Sequence, residues 1–135
     1  YDEMIKAEKK LPADQRMDFV SIVTPNHMHF APAKAALENG FHVIIDKPMT
    51  LSLAEAKKLK QVADKSGLVF ALTHTYTGYP MIKEARQLIK SGKLGKVRKV
   101  YVEYIQGWLH APLEKTGQKQ ASWRSDPKKS GLGGA

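Results

Sequence analysis

Phe41-His42-Val43-Ile44-Ile45-Asp46-Lys47-Pro48 is an apolar run that carries a charged pair to its end and stops at a proline. It is too short for an ordinary helix and rich in β-branched residues, so it predicts a buried strand. Working outward, Phe19, Val20, Ile22 and Val23 form a similar run that ends in Thr24-Pro25-Asn26, and Leu68-Val69-Phe70-Ala71-Leu72 forms another that ends in Thr73-His74-Thr75-Tyr76. Helical spacing lies between them. Phe30, Ala33, Ala36 and Leu37 recur on one face before Asn39-Gly40, whose glycine suits the left-handed end of a helix. Leu53, Ala56, Leu59, Val62 and Ala63 form a second stripe, introduced by the Ser-x-x-Glu capping box of Ser52 and Glu55 and closed at Gly67. Short strands joined by single helices can only lie side by side pointing the same way, which predicts a parallel sheet covered on both faces.

The rest of the chain is organised around this unit. Met4, Ile5 and Ala7 predict a short amphipathic helix over residues 2–10, stopped by Pro12. After Gly78-Tyr79-Pro80, the residues Met81, Ile82, Ala85, Leu88 and Ile89 predict a further helix ending at Ser91-Gly92. Val97, Val100, Val102 and Tyr104 then alternate with Arg98, Lys99 and Glu103, the period of a strand with one wet face. The expected fold is α/β: a parallel sheet with right-handed crossovers over residues 1–79, followed over residues 80–135 by the start of an α+β domain with a mostly antiparallel sheet. Residues 107–135 are turn-rich, and the glycines from Ser130 to Ala135 have no evident partner in the sequence.

Composition narrows the function. At 42% hydrophobic and 26% charged, the 135 residues have the balance of a soluble domain, and no apolar stretch reaches the roughly 20 residues of a membrane-spanning helix. The absence of cysteine excludes disulfides, thiolate metal sites and a cysteine nucleophile, and agrees with a cytoplasmic location. The chain starts at Tyr1, so a targeting signal would lie ahead of it. A net charge of +9 invites a polyanion partner, but Lys57, Lys58, Lys60 and Lys65 fall on the outer face of one helix, and Lys93, Lys96, Arg98 and Lys99 cluster at a turn. Aromatics are not interleaved with these lysines as a nucleic-acid platform requires, so the charge reads as solvated faces.

Ligands of an open parallel sheet bind beyond the carboxyl ends of the strands. Thr24-Pro25-Asn26 and Asp46-Lys47-Pro48 would then be two walls of one crevice. Lys47 has two readings: a group that supplies positive charge to a developing alkoxide or donates to a substrate hydroxyl, which burial beside the sheet would adapt to proton transfer, or a strand-end lysine that escapes to solvent. Asp46 is placed to orient it, and Pro48 to hold it extended. Asn26 either caps the following helix or faces a ligand. His27, His29 and His74 lack a carboxylate at helical spacing, which favours helix-start packing over a metal site; His42 lies within a strand and His74 is best placed to touch a ligand. Trp123-Arg124 can stack on a flat ring and hold an anion, or plug a junction between subdomains.

Together these motifs resemble the glucose-fructose oxidoreductase / inositol dehydrogenase / MocA (Gfo/Idh/MocA) family of NAD(P)-dependent oxidoreductases. The resemblance rests on Thr24, Pro25, Asn26 and His29, on Asp46-Lys47-Pro48, on residues 73–80, the Gly92–Gly95 turn, residues 102–108, and Gln120-Ala121-Ser122-Trp123-Arg124. It implies hydride transfer between NAD or NADP and a sugar, inositol or related polyol, with Lys47 facing nicotinamide and substrate as the catalytic residue. It further implies that Thr24, Pro25, Asn26, His29, Asp46, Pro48, Trp123 and Arg124 border the cofactor, that His74 and Tyr76 border the substrate, that no metal is used, and that the intact enzyme forms homo-oligomers. Asp46 stands where glutamate is commoner. The family's Gly-x-Gly-x-x-Gly turn would precede Tyr1 and its Asp-x-x-x-His pair would follow Ala135, so the resemblance implies that residues 1–79 are the second half of a Rossmann-type parallel sheet and that the chain is a central fragment that neither binds dinucleotide tightly nor turns over alone. A Schiff-base lysine of (β/α) type and a basic nucleic-acid module are the alternatives. A dehydrogenase assay on these residues alone is expected to give no turnover.

Overall fold

The computed structural model describes residues 1–131. Helix α1 (Asp2–Glu8) precedes strand β1 (Phe19–Ile22), helix α2 (Phe30–Glu38), strand β2 (His42–Asp46), helix α3 (Leu53–Ser66) and strand β3 (Phe70–Thr73). The three strands form one parallel sheet in the order β1-β2-β3, with Ile22 opposite Ile45 and Asp46 opposite Thr73. Consecutive order is the arrangement that short crossovers through single helices produce.

One face of the sheet carries the core. Val43 and Ile45 of β2 are fully buried against Ala33, Ala36 and Leu37 of α2 and Leu59 of α3, with Ile5, Ile22 and Phe41 completing the cluster. The expectation of a sheet covered on both faces is corrected here. Ile44 is exposed at 37%, Phe19 is exposed on β1 and Val23 just beyond it, because both crossover helices pack on the Val43–Ile45 side. His42 is structural as expected: its Nδ1 accepts a hydrogen bond from the Val69 backbone N–H at 3.0 Å, helping to join β2 to the start of β3.

Local rules account for the helix ends. Ser52 Oγ accepts from the Glu55 N–H at 3.3 Å, while the Glu55 carboxylate accepts from the Leu51 N–H at 3.2 Å, so the capping box closes one residue further out than its simplest form. Gly67 ends α3 at φ 68°, in the left-handed region where a side chain is disfavoured. Asn26 does not cap α2. It lies within a short 3-10 turn (Asn26–Met28), is buried, and spends its amide on the Ser130 carbonyl at 2.8 Å.

Two compact units emerge, one made of Tyr1–Thr73 with the segment from Leu113 onward, the other of His74–Pro112. Within the second, Pro80 occupies the first turn of helix α4 (Pro80–Lys90), as expected of a residue without an N–H to satisfy. Residues 97–104 form no strand in this structure, and the expected antiparallel sheet is absent among the described residues. The physical reason is that a one-sided strand needs a neighbour for its ladder, and none of the described residues pairs with it.

The segment from Leu113 adds helices α5 (Lys119–Arg124) and α6 (Pro127–Ser130) to the first unit. Gln118 Oε1 accepts from the Ala121 N–H at 2.6 Å, and Asp126 Oδ1 from the Lys128 N–H at 3.0 Å. These caps start two helices that are too short to show periodicity in the sequence. Gly131 has φ 70°, in the left-handed region that favours glycine, and an added Cβ would stand 3.0 Å from the Leu51 carbonyl oxygen, so the end of α6 lies tightly against the β2–α3 loop. The glycines expected beyond Gly131 lie outside the described residues.

Leu59→Ala is expected to lower stability by about 2–5 kcal/mol, since its side chain is fully buried beneath β2, whereas Ser52→Ala should cost only about 0.5–2 kcal/mol. Urea unfolding of the two variants against wild type measures both, and a Leu59→Ala effect no larger than that of Ser52→Ala would contradict this core.

Candidate active site

The parallel register decides what meets at the carboxyl end of the sheet. Ile22 is level with Ile45, so two further residues bring Thr24 level with Lys47. There, Val23, Thr24, Pro25 and Asn26 form one wall of a polar crevice of about 130 Å³, Asp46 and Lys47 form the second, and Gln120, Trp123 and Arg124 of α5 close it. Seven of the residues singled out in the sequence are thus brought together: Thr24, Pro25, Asn26, Asp46, Lys47, Trp123 and Arg124. A larger apolar groove of about 720 Å³ runs along α3 and β3, lined by Leu53, Ala56, Phe70 and Leu72, and shares no lining residue with the crevice.

Asp46 anchors the lysine wall through backbone and neighbouring strand. Its Oδ1 accepts from Thr73 Oγ1 at 2.7 Å and from the Lys47 backbone N–H at 2.8 Å. The expectation that Asp46 orients the lysine side chain is therefore corrected to control of its backbone; among the described residues no ion pair joins the Asp46 carboxylate to the Lys47 ammonium. The Thr73 hydroxyl chiefly holds the Asp46 carboxyl below its ordinary range, assisted by the Lys47 N–H and by the nearby charges of Lys47 and His29, against a smaller opposing effect of burial. Lys47 itself is exposed at the crevice, not buried beside the sheet as one reading required. The Lys47–Pro48 peptide bond is cis.

The third wall is organised by a residue that the motif reading quoted but did not single out. Gln120 Oε1 accepts from Trp123 Nε1 and from Arg124 Nε, each at 3.2 Å, and the Arg124 guanidinium lies 4.8 Å from the Trp123 ring centroid. The legible signal was its spacing, three and four residues before the Trp-Arg pair on what the structure shows to be one helix.

Other expected residues stand elsewhere. His29 is 1% exposed, with Nε2 2.8 Å from the Thr24 carbonyl oxygen and Nδ1 2.7 Å from the Pro48 carbonyl oxygen, so it lies behind the crevice and touches both loops through their backbone. Pro48 lines a separate shallow pocket with Met49, Thr50 and Ser130. His74 and Tyr76 belong to the second unit. There His74 begins a 3-10 turn (Thr75–Gly78), and the exposed Tyr76 ring packs 5.7 Å from that of Tyr79.

The depressed Asp46 carboxyl carries a signed prediction. A folded-state value below the unfolded one contributes stability that is present above roughly pH 4 and is lost as the pH falls through the folded value. Asp46→Asn keeps an acceptor for Thr73 but cannot titrate, so its urea midpoint should fall less than wild type on acidification. Identical acid profiles would remove Asp46 from the account.

Comparison with known proteins agrees with the fold. Residues 3–74 match the oxidoreductase family with an NAD-binding Rossmann fold, and residues 82–135 match the GFO/IDH/MocA C-terminal domain. An uncharacterized oxidoreductase of Bacillus subtilis, YfiI, is 34% identical across 94% of this chain and 32% of its own length. The crystal structure of an inositol dehydrogenase homolog from Azotobacter vinelandii complexed with NAD+ superposes with a TM-score of 0.87 at 36% identity, covering 94% of this chain and 32% of that one. A second structure of an inositol dehydrogenase homolog from that organism, complexed with NADH and myo-inositol, gives 0.79 at 36% identity over 91% and 31%. The chain thus spans about a third of the length of the curated relatives it matches. A parallel sheet with its polar crevice at level strand ends and family matches over both halves lead to one conclusion: the chain belongs to the GFO/IDH/MocA family of oxidoreductases, with an NAD-binding Rossmann fold.

Proposed function

We propose that the protein carrying these residues transfers a hydride between NAD or NADP and a hydroxyl-bearing carbon of a sugar, inositol or related polyol. The single observation that carries this reading is the strand-end crevice, where an exposed Lys47 stands against Thr24-Pro25 with Trp123-Arg124 alongside. Support for the substrate class comes from the related enzyme whose structure holds NADH and myo-inositol. On this reading residues 1–79 are the second half of the dinucleotide-binding domain and residues 80–135 open the substrate domain.

The donor set fits the nicotinamide end of such a cofactor. The crevice presents an ammonium, a guanidinium and a flat indole, which suit a carboxamide-bearing ring and its ribose. Thr24, Pro25, Asn26, Asp46 and the Trp123–Arg124 pair would hold that end. When bound, the nicotinamide supplies the two-electron acceptor or donor. Lys47 then acts on the substrate oxygen. Its ammonium is a donor only, so it hydrogen-bonds the hydroxyl or carbonyl oxygen and stabilises negative charge as it develops there. Asp46 fixes the Lys47 backbone to β3, which keeps that donor from drifting with the loop. Gln120 fixes Arg124 against Trp123, presenting a rigid wall to the ring.

In the whole protein, Lys47→Met is expected to lower kcat for polyol oxidation by about 10²–10⁴-fold, the range of a positioned proton-donating group, while quenching of tryptophan emission by NAD(P)H persists. Wild-type turnover in Lys47→Met would overturn the assignment. Borohydride trapping of a carbonyl substrate on Lys47 would transfer it to Schiff-base chemistry instead.

A further inference from the structure

His29 is fully enclosed, ionisable and unused by the chemistry above. Both of its ring nitrogens face backbone carbonyl oxygens, Thr24 at 2.8 Å and Pro48 at 2.7 Å. A carbonyl oxygen only accepts, so each contact requires an N–H on the ring. Neutral imidazole has one N–H and one lone pair, and can satisfy a single arm; the other would set a lone pair against an oxygen in a site closed to water.

The two carbonyls are not equivalent neighbours. One belongs to the loop leaving β1 and the other to the loop leaving β2, the same two loops that supply the facing walls of the crevice. We propose that His29 is a positioning residue: a staple through both ring nitrogens that holds the Thr24 wall to the Pro48 wall, complete only while the ring carries two protons. This rests on the proposed function for its effect on the cofactor, and on geometry alone for the staple itself.

The wall from β2 sets one charge of each sign near the ring. Asp46, at the end of β2, keeps a carboxylate whose low titration comes first from Thr73 and in smaller part from the His29 charge, and Lys47 beside Pro48 is its one opposing neighbour on that wall. The turn before His29 adds only the exposed His27, and α2, which follows, brings no ionisable residue before Lys34. Asp126 and Lys129 of α6, which packs on that turn, pair with each other at 3.4 Å. A ring with a single N–H can hold one arm only, and the walls then lose their common tie.

The test has two readouts. Long-range ¹H–¹⁵N spectra of the ¹⁵N-histidine-labelled whole protein, taken from about pH 5 to about pH 8 where histidines exchange their protons, should show two protected N–H groups on His29 at the acid end and loss of one on raising the pH. Steady-state KM for NAD(P) should rise across the same interval by on the order of tenfold, the equivalent of one hydrogen bond. In His29→Gln, whose amide offers two N–H groups without titrating, that rise should vanish while kcat changes less than KM. A single N–H on His29 throughout would overturn the staple whatever the activity. So would a His29→Gln variant whose KM follows the wild-type pH profile. Two N–H groups in a protein that binds no dinucleotide would sustain the staple and remove the functional reading instead.

Discussion

Parallel pairing of β2 between β1 and β3 is the constraint on which the molecule depends. Parallel strands joined through single helices must all end at the same side of the sheet, and the register sets how level those ends are. With Ile22 opposite Ile45 and Asp46 opposite Thr73, the residues that follow each strand emerge side by side. Slipping β1 by one residue would turn Ile22 out of the core and carry Thr24 away from Lys47 at once. Burial of Val43, Ile45 and Ile22 against one layer of helices is therefore also what locates the crevice.

Around that frame the polar residues act mainly on backbone. The Asp46 carboxylate holds the Lys47 N–H and the Thr73 hydroxyl, Asn26 holds the Ser130 carbonyl, and His29 spans Thr24 and Pro48. Strand-end loops have no ladder to fix them, so each of these side chains replaces hydrogen bonds that a sheet would have provided. What faces the crevice without such a task is small: the Lys47 side chain and the Trp123–Arg124 surface set by Gln120. On the proposed reading this division of labour suits a cofactor enzyme, in which the reacting group is the cofactor's and the protein's task is to place donors around it.

Much of this was legible in the residues. The three strands, the capping box at Ser52, the glycine stop at Gly67 and the helix after Pro80 rest on local patterns that tertiary contacts reinforce. Harder to see were α5 and α6, whose few residues show caps but no periodicity, and the role of Gln120, which becomes visible only when α5 is helical. Residues 97–104 carry a strand's alternation yet form none, since alternation specifies a face and not a partner.

The sequence by itself determined the parallel α/β frame, the family and the two motifs that face each other, because hydrophobic period, caps and strand-end composition are local properties of the chain. Only the tertiary structure decided which face of the sheet is covered, that Asn26 is an anchor and not a cap, that Asp46 works on backbone, and that His29 lies between Thr24 and Pro48. Those outcomes depend on where distant carbonyls and hydroxyls end up in space. A side chain of fixed chemistry takes whichever partner the register brings within reach.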